Sequence, residues 1–143
     1  MSEKFTAKSE IIIRAPQDKV WKILTDPDLV KQWLFGTEMS VSAWQVGGQI
    51  RYRGVWQDKS YEDKGEILEL IPEQKLVSTY YSSMSGKPDA PENYSRVTYE
   101  LSPAGDGVQL TITQENNPTA ESAQHSENNW QTVLQSVKQL AEK

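Results

Sequence analysis

The last stretch of this chain changes its hydrophobic period, and that change limits the folds open to it. Trp130, Val133, Leu134, Val137, Leu140 and Ala141 recur at helical spacing and make one apolar stripe. Before it lie six segments that read as strands: Met39 to Ala43, Gln49 to Trp56, Tyr61 to Leu70, Leu76 to Tyr81, Tyr94 to Leu101 and Val108 to Glu115. Closely spaced strands of this kind imply an antiparallel meander. A single striped helix after a meander has one way to bury its apolar side, which is to cover one face of the sheet, so the expected class is α+β.

The N-terminal third adds a strand and two short helices. Phe5 to Arg14 contains the β-branched run Ile11-Ile12-Ile13 and reads as a first strand. It stops at Ala15-Pro16, with Pro16 expected at the first helical position, where its missing N–H costs nothing. Val20, Ile23 and Leu24 then form one face of a helix, with Trp21 beside it. Asp26 caps and Pro27 opens the next helix, along which Leu29, Val30 and Trp33 recur, and Gly36 ends it. Gly47-Gly48 supplies positive φ for a tight connection, Asp106-Gly107 signals a two-residue hairpin, and Pro72 ends a strand by removing a ladder donor. The longest polar loop is Ser82 to Asn93. The start of the last helix stays open between Thr119 and Ser126 as N-cap, so His125 falls in its first turns or just before them.

Composition removes several function classes. A chain of 143 residues is expected to form one domain, 1–143, large enough for its own core. Its net charge of −5 disfavours nucleic acid and anionic lipid as partners. Cysteine is absent, which excludes a disulfide framework, a thiolate nucleophile and a cysteine-ligated metal and fits a reducing cytoplasm. No segment approaches the ~20 apolar residues of a membrane helix, and Met1 to Phe5 lacks the apolar core of a secretion signal. The glycosylation-like Asn93-Tyr94-Ser95 is therefore discounted.

Reactive constellations are thin. The one histidine, His125, sits in the polar segment Gln124-His125-Ser126-Glu127, which suits a solvated residue better than the oriented base of a nucleophilic triad. With Glu127 it offers two metal ligands where a catalytic zinc takes about three from the protein. Glu100 and Glu115 lie within strands as possible acid–base groups, but alternation turns both outward. Arg51 and Arg53 alternate with Ile50, Tyr52 and Gly54 and read as a wet outer face, with an anion patch as the alternative. Gly47-Gly48 lacks the spacing and the lysine of a phosphate cradle. No catalytic residue, metal or cofactor is expected. The oddity is five Trp and six Tyr against two Phe: large rings with polar tips suit a cavity wall better than a dry core.

Val20-Trp21 with Leu24-Thr25-Asp26-Pro27, then Trp33, Gly47-Gly48, Leu70-Ile71-Pro72 with Leu76-Val77, and Val97 to Leu101 follow one another in an order that resembles the START-like (SRPBCC) superfamily of helix-grip proteins. The branch most similar is that of the activator of the heat-shock-protein ATPase. The resemblance covers nearly the whole chain. It implies a curved antiparallel sheet of about seven strands wrapped around a long C-terminal helix, two short helices after the first strand, and often an apolar cavity between sheet and helix. Where the family often carries a histidine in the last strand and Gly-Trp at the final helix, this chain has Gln114 and Asn129-Trp130.

Given that fold, the walls come from inward sheet positions and the facing helix stripe. Alternation assigns Ile50, Tyr52 and Trp56, then Leu76, Ser78 and Tyr80, then Val97, Tyr99 and Leu101, then Leu110, Ile112 and Gln114 to one face. Trp130 and Leu134 look at them from the helix. By analogy Trp33, Phe35 and Trp44 lie near the mouth. The expected function is to hold a hydrophobic small molecule, aromatic or lipid-like, without turnover; a chaperone partner in a stress response and a cyclase- or hydrolase-type enzyme are the alternatives.

Overall fold

The computed structural model describes residues 5–34, 36–82, 87–117 and 119–143, and for Trp56 the backbone alone. In chain order the elements are β1 (Phe5–Ile13), α1 (Gln17–Thr25), α2 (Pro27–Trp33), β2 (Glu38–Val41), β3 (Gln49–Trp56), β4 (Lys59–Ile71), β5 (Lys75–Tyr80), a 3-10 turn at Pro91–Asn93, β6 (Ser95–Ala104), β7 (Gly107–Asn117) and α3 (Ala120–Ala141). The strands make one antiparallel sheet in the order β1-β7-β6-β5-β4-β3-β2. From β2 to β7 this is a meander, and β1 joins it beyond β7. The sheet curves around α3, which is the helix-grip arrangement expected of the sequence.

Local chemistry sets the element boundaries. The Asp26 carboxylate accepts from Asp28 N–H at 2.9 Å and Pro27 opens α2, as read from the sequence. Pro16 stands one place earlier than expected: with φ −63° and ψ 147° it is the extended N-cap of α1, so the helix starts at Gln17. Gly36, with φ +81°, donates to Lys31 O at 2.9 Å and closes α2. The β6–β7 loop is Gly105-Asp106 instead of Asp106-Gly107. Gly105 takes the positive φ of +57°, whereas Gly107 is required for packing, because a Cβ there would stand 2.1 Å from Ile13 O.

The N-cap of α3 is Thr119, not Ser126. Thr119 Oγ1 accepts from Ser122 N–H at 3.0 Å while Ser122 Oγ accepts from Thr119 N–H at 3.2 Å, a reciprocal cap that satisfies two donors. His125 consequently rides on the helix, exposed. The stripe below it packs as its period requires: Val133, Leu134, Val137 and Ala141 are buried against Ile13, Val20, Leu24, Leu101 and Leu110 in one core. Among the described residues no helix is long and apolar enough to cross a membrane.

Candidate functional site

Midway along α3 the core stops being aliphatic. Trp130 is half-buried there, and opposite it the sheet presents aromatic and polar side chains in cross-strand rows. Tyr52 of β3 stands opposite Asp63 of β4, and Ser78 of β5, Val97 of β6 and Gln114 of β7 follow one another across the sheet. Tyr99 stands two residues on from Val97 of this second row, and Tyr80 reaches in from the end of β5. Leu34 and Thr37, from the link between α2 and β2, close the remaining side. Between these groups lies a hollow of about 100 Å³.

Its polar end is tightly bonded. Tyr80 donates its phenol to Asp63 Oδ2 at 2.6 Å, and Asp63 is only 8% exposed. Tyr52 and Tyr80 meet edge to face, with centroids 6.0 Å apart and planes at 64°. At the other end Tyr99 and Trp130 form a second edge-to-face pair, 6.1 Å apart and at 88°. The indole N–H of Trp130 donates to Gln114 Oε1 at 2.8 Å, and Gln114 Nε2 in turn donates to Ser95 Oγ at 3.2 Å. Thr37 Oγ1 and Tyr61 OH share a hydrogen bond of 2.6 Å at the rim.

Burial makes these phenols weak acids. Tyr52 is pushed up to about 12, first by burial and then by the charge of Asp63. Tyr80 is raised further by burial and by its bond to Asp63, and Tyr99 is raised well above the ordinary value by burial foremost. All three therefore remain neutral hydrogen-bond donors throughout the physiological range.

Of the residues singled out from the sequence, Tyr52, Tyr80, Tyr99, Gln114 and Trp130 line the hollow. Ile112 and Leu134 are fully buried in the adjoining core instead. Trp33 is buried too, but its indole N–H goes to Ile23 O at 2.8 Å and locks α2 onto α1. Trp44 is 40% exposed on the β2–β3 loop, outside the lining. Phe35 and the Trp56 side chain lie outside the described residues. Leu34, Thr37 and Asp63 were missed. Counting back from Ile67 through Gly65 by twos reaches Asp63, so strand parity carried the signal for it.

The remaining candidates face water. Arg51 and Arg53 share Glu62 on the outer side of the sheet, Arg51 Nη1 at 2.9 Å from Glu62 Oε1, and the hydrogen bond from Arg53 foremost, with the charges of both guanidiniums, holds that carboxyl below its usual range. Glu100 and Glu115 are exposed, Glu115 lying 3.7 Å from Arg96.

The model for the family described as activator of Hsp90 ATPase homolog 1-like protein matches residues 14–142. No curated protein matches the chain. Among solved structures, protein ChR145 of Cytophaga hutchinsonii is 41% identical, with a TM-score of 0.85 over 98% of this chain and 95% of that one. Protein CV1439 of Chromobacterium violaceum is 25% identical, with a TM-score of 0.80 over 96% and 97%. Ara h 8.0201 shares the fold at 11% identity, with a TM-score of 0.76 over 97% and 98% of the two chains.

Proposed function

This chain belongs to the family of activator of Hsp90 ATPase homolog 1-like proteins, and from that premise we propose that it binds a compact organic molecule, without turnover, in the hollow beneath Trp130. The observation that carries the proposal is the composition of the lining. Apolar walls from Leu34, Val97, Tyr99 and Trp130 enclose a few fixed polar groups, Asp63, Tyr52, Tyr80 and Gln114, which is how ligand sites are commonly built. Its volume of about 100 Å³ is near a third of the smallest usual ligand pockets, at ~300 Å³. That favours a guest, or the part of a guest that enters, no larger than a single ring. A lipid- or polyketide-sized ligand would have to leave most of its length outside or displace Trp130. The absence of cysteine supports placing this activity in a reducing cytoplasm.

Titration of isotope-labelled protein with phenol, indole, planar polyphenols and short lipids tests this. Shifts confined to the Trp130 indole N–H and the amides of Tyr80, Tyr99 and Gln114 are expected for at least one of them. Uniformly unmoved signals at millimolar ligand would remove the proposal. A second reading, contact with a chaperone, is supported by the family's description and by Val55, 69% exposed on the β3–β4 hairpin. It predicts chaperone capture that Val55→Lys abolishes and that hollow ligands leave unchanged.

A further inference from the structure

We infer that the hollow beneath Trp130 is a site for a compact organic cation of the methylated-ammonium class. This rests on the small-molecule reading above and specifies the charge and shape of the guest.

Four aromatic rings supplied by four different elements surround the space: Tyr52, Tyr80, Tyr99 and Trp130. They form two edge-to-face pairs with planes at 64° and 88°, so within each pair the two rings stand at a steep angle. Rings at such angles suit a rounded guest better than one that stacks flat. The face of an aromatic ring carries negative electrostatic potential and attracts a cation, the more so where water is excluded. Burial keeps the three phenols protonated, so their rings contribute faces and neutral donors.

The charge within the lining has one sign. Asp63 brings its carboxylate to the polar end. The hydrogen bond from Tyr80 orients that group. Among the described residues the lining contains no lysine or arginine. The cations of the same strands, Arg51, Arg53 and Lys64, alternate to the opposite face, where Glu62 and Asp89 engage them. An anionic guest would meet the charge of Asp63 at low dielectric, whereas a cation would be attracted by the carboxylate and the rings together.

Size selects within the cations. At about 30 Å³ for each heavy-atom-sized unit, the share of a water in the liquid, a hollow of about 100 Å³ accepts three or four such units. A trimethylammonium head, three methyls on one nitrogen, is of that size and roughly spherical. Its methyls contact the rings while its charge is spread toward Asp63.

The test compares choline with 3,3-dimethylbutan-1-ol, its neutral isostere with carbon in place of nitrogen, each titrated into the wild-type protein while the Trp130 indole N–H is followed. Phenol serves as a probe of the hollow itself. Choline is expected to bind about tenfold tighter than the isostere or more, the scale of a desolvated cation–π contact. Asp63→Asn, checked by thermal melting to be folded, is expected to shrink that difference by the carboxylate's share while the rings keep part of it. Equal affinity for choline and the isostere, or a response to phenol but not to choline, overturns the cation assignment and leaves the small-molecule reading standing. No response to any of the three overturns the cation assignment, and silence across the wider panel above overturns the small-molecule reading with it. The wild-type comparison decides even if the variant does not fold.

Discussion

The two halves of α3 meet the sheet in different ways. Beyond Trp130 the helix rests on a dry floor: Val133, Leu134, Val137 and Ala141 interdigitate with Ile13, Val20, Leu24 and Leu110, and none of these side chains has a polar tip to satisfy. At Trp130 the same helix spans a row of rings and hydrogen-bonding groups, and a hollow remains. Branched aliphatic side chains close on one another because any contact direction is acceptable. Rings tipped with O–H or N–H are fixed by partners, as Tyr80 is by Asp63 and Trp130 by Gln114, and rigid plates held in place leave gaps. Lifting of the helix does not explain the space. α3 is tied to β1 near its start, where Glu127 accepts from Lys8 N–H at 3.1 Å, and at its end, where Glu142 accepts from Arg14 N–H at 2.8 Å and Lys138 donates to Ile12 O at 3.0 Å. The hollow is set by side chains.

The largest effect should come from the dry half. Leu134→Ala leaves a cavity that clamped neighbours cannot fill, and is expected to cost about 3–4 kcal/mol of unfolding free energy, read from the urea midpoint at constant slope. Trp130→Ala removes a much bigger side chain, yet one that is half-buried and borders existing space. Its expected cost is smaller, about 2 kcal/mol, below the usual range for a fully buried tryptophan. If Trp130→Ala proved the more damaging of the two, the hollow would have to be treated as part of the packed core, and the contrast between the halves would fail.

How far the sequence foretold each half follows from the same physics. The dry half was legible because the 3.6-residue period of Trp130 to Ala141 fixes which side chains face inward. Alternation did the same for Tyr52, Tyr80, Tyr99 and Gln114, since parity survives any uncertainty about strand ends. Asp63 escaped because Tyr61-Glu62-Asp63-Lys64 is polar on both parities, so its inward side shows only by counting back from Ile67 and Gly65. Thr37 and Leu34 come from a helix-to-strand link, which has no period at all. The aromatic residues placed by analogy fared differently, because position along the chain does not say where a ring's N–H goes: that of Trp33 goes to Ile23 O, into the helix pair and away from any mouth. The hairpin loop was misplaced by one residue because two glycines flank Asp106, one needed for its φ and the other for its lack of a Cβ. Volume was not legible, since a pattern names which rings face inward and not how much space they leave between them.

The smallest effect, and the one that sharpens the contrast most, is alkaline. Tyr52 titrates near 12 in the fold against about 10 in an unfolded chain. The folded state thus holds its proton more tightly. The resulting stability is fully present below pH 10 and is lost as pH rises from about 10 toward 12. Tyr52→Phe should remove this part of the dependence, so that between pH 8 and pH 11 the wild type loses about 1 kcal/mol more than the variant, read from paired urea titrations. Leu134→Ala, which removes part of a side chain packed among groups that do not titrate, should shift the whole curve down and leave its slope with pH unchanged. Tyrosinate absorbance offers an independent check, with the phenols of Tyr52, Tyr80 and Tyr99 ionising at higher pH than a free tyrosine. Early ionisation of all tyrosines in folded protein would mean that water enters the hollow freely, and the rings of Tyr52, Tyr80, Tyr99 and Trp130 would then be a wetted surface cleft rather than a desolvated site.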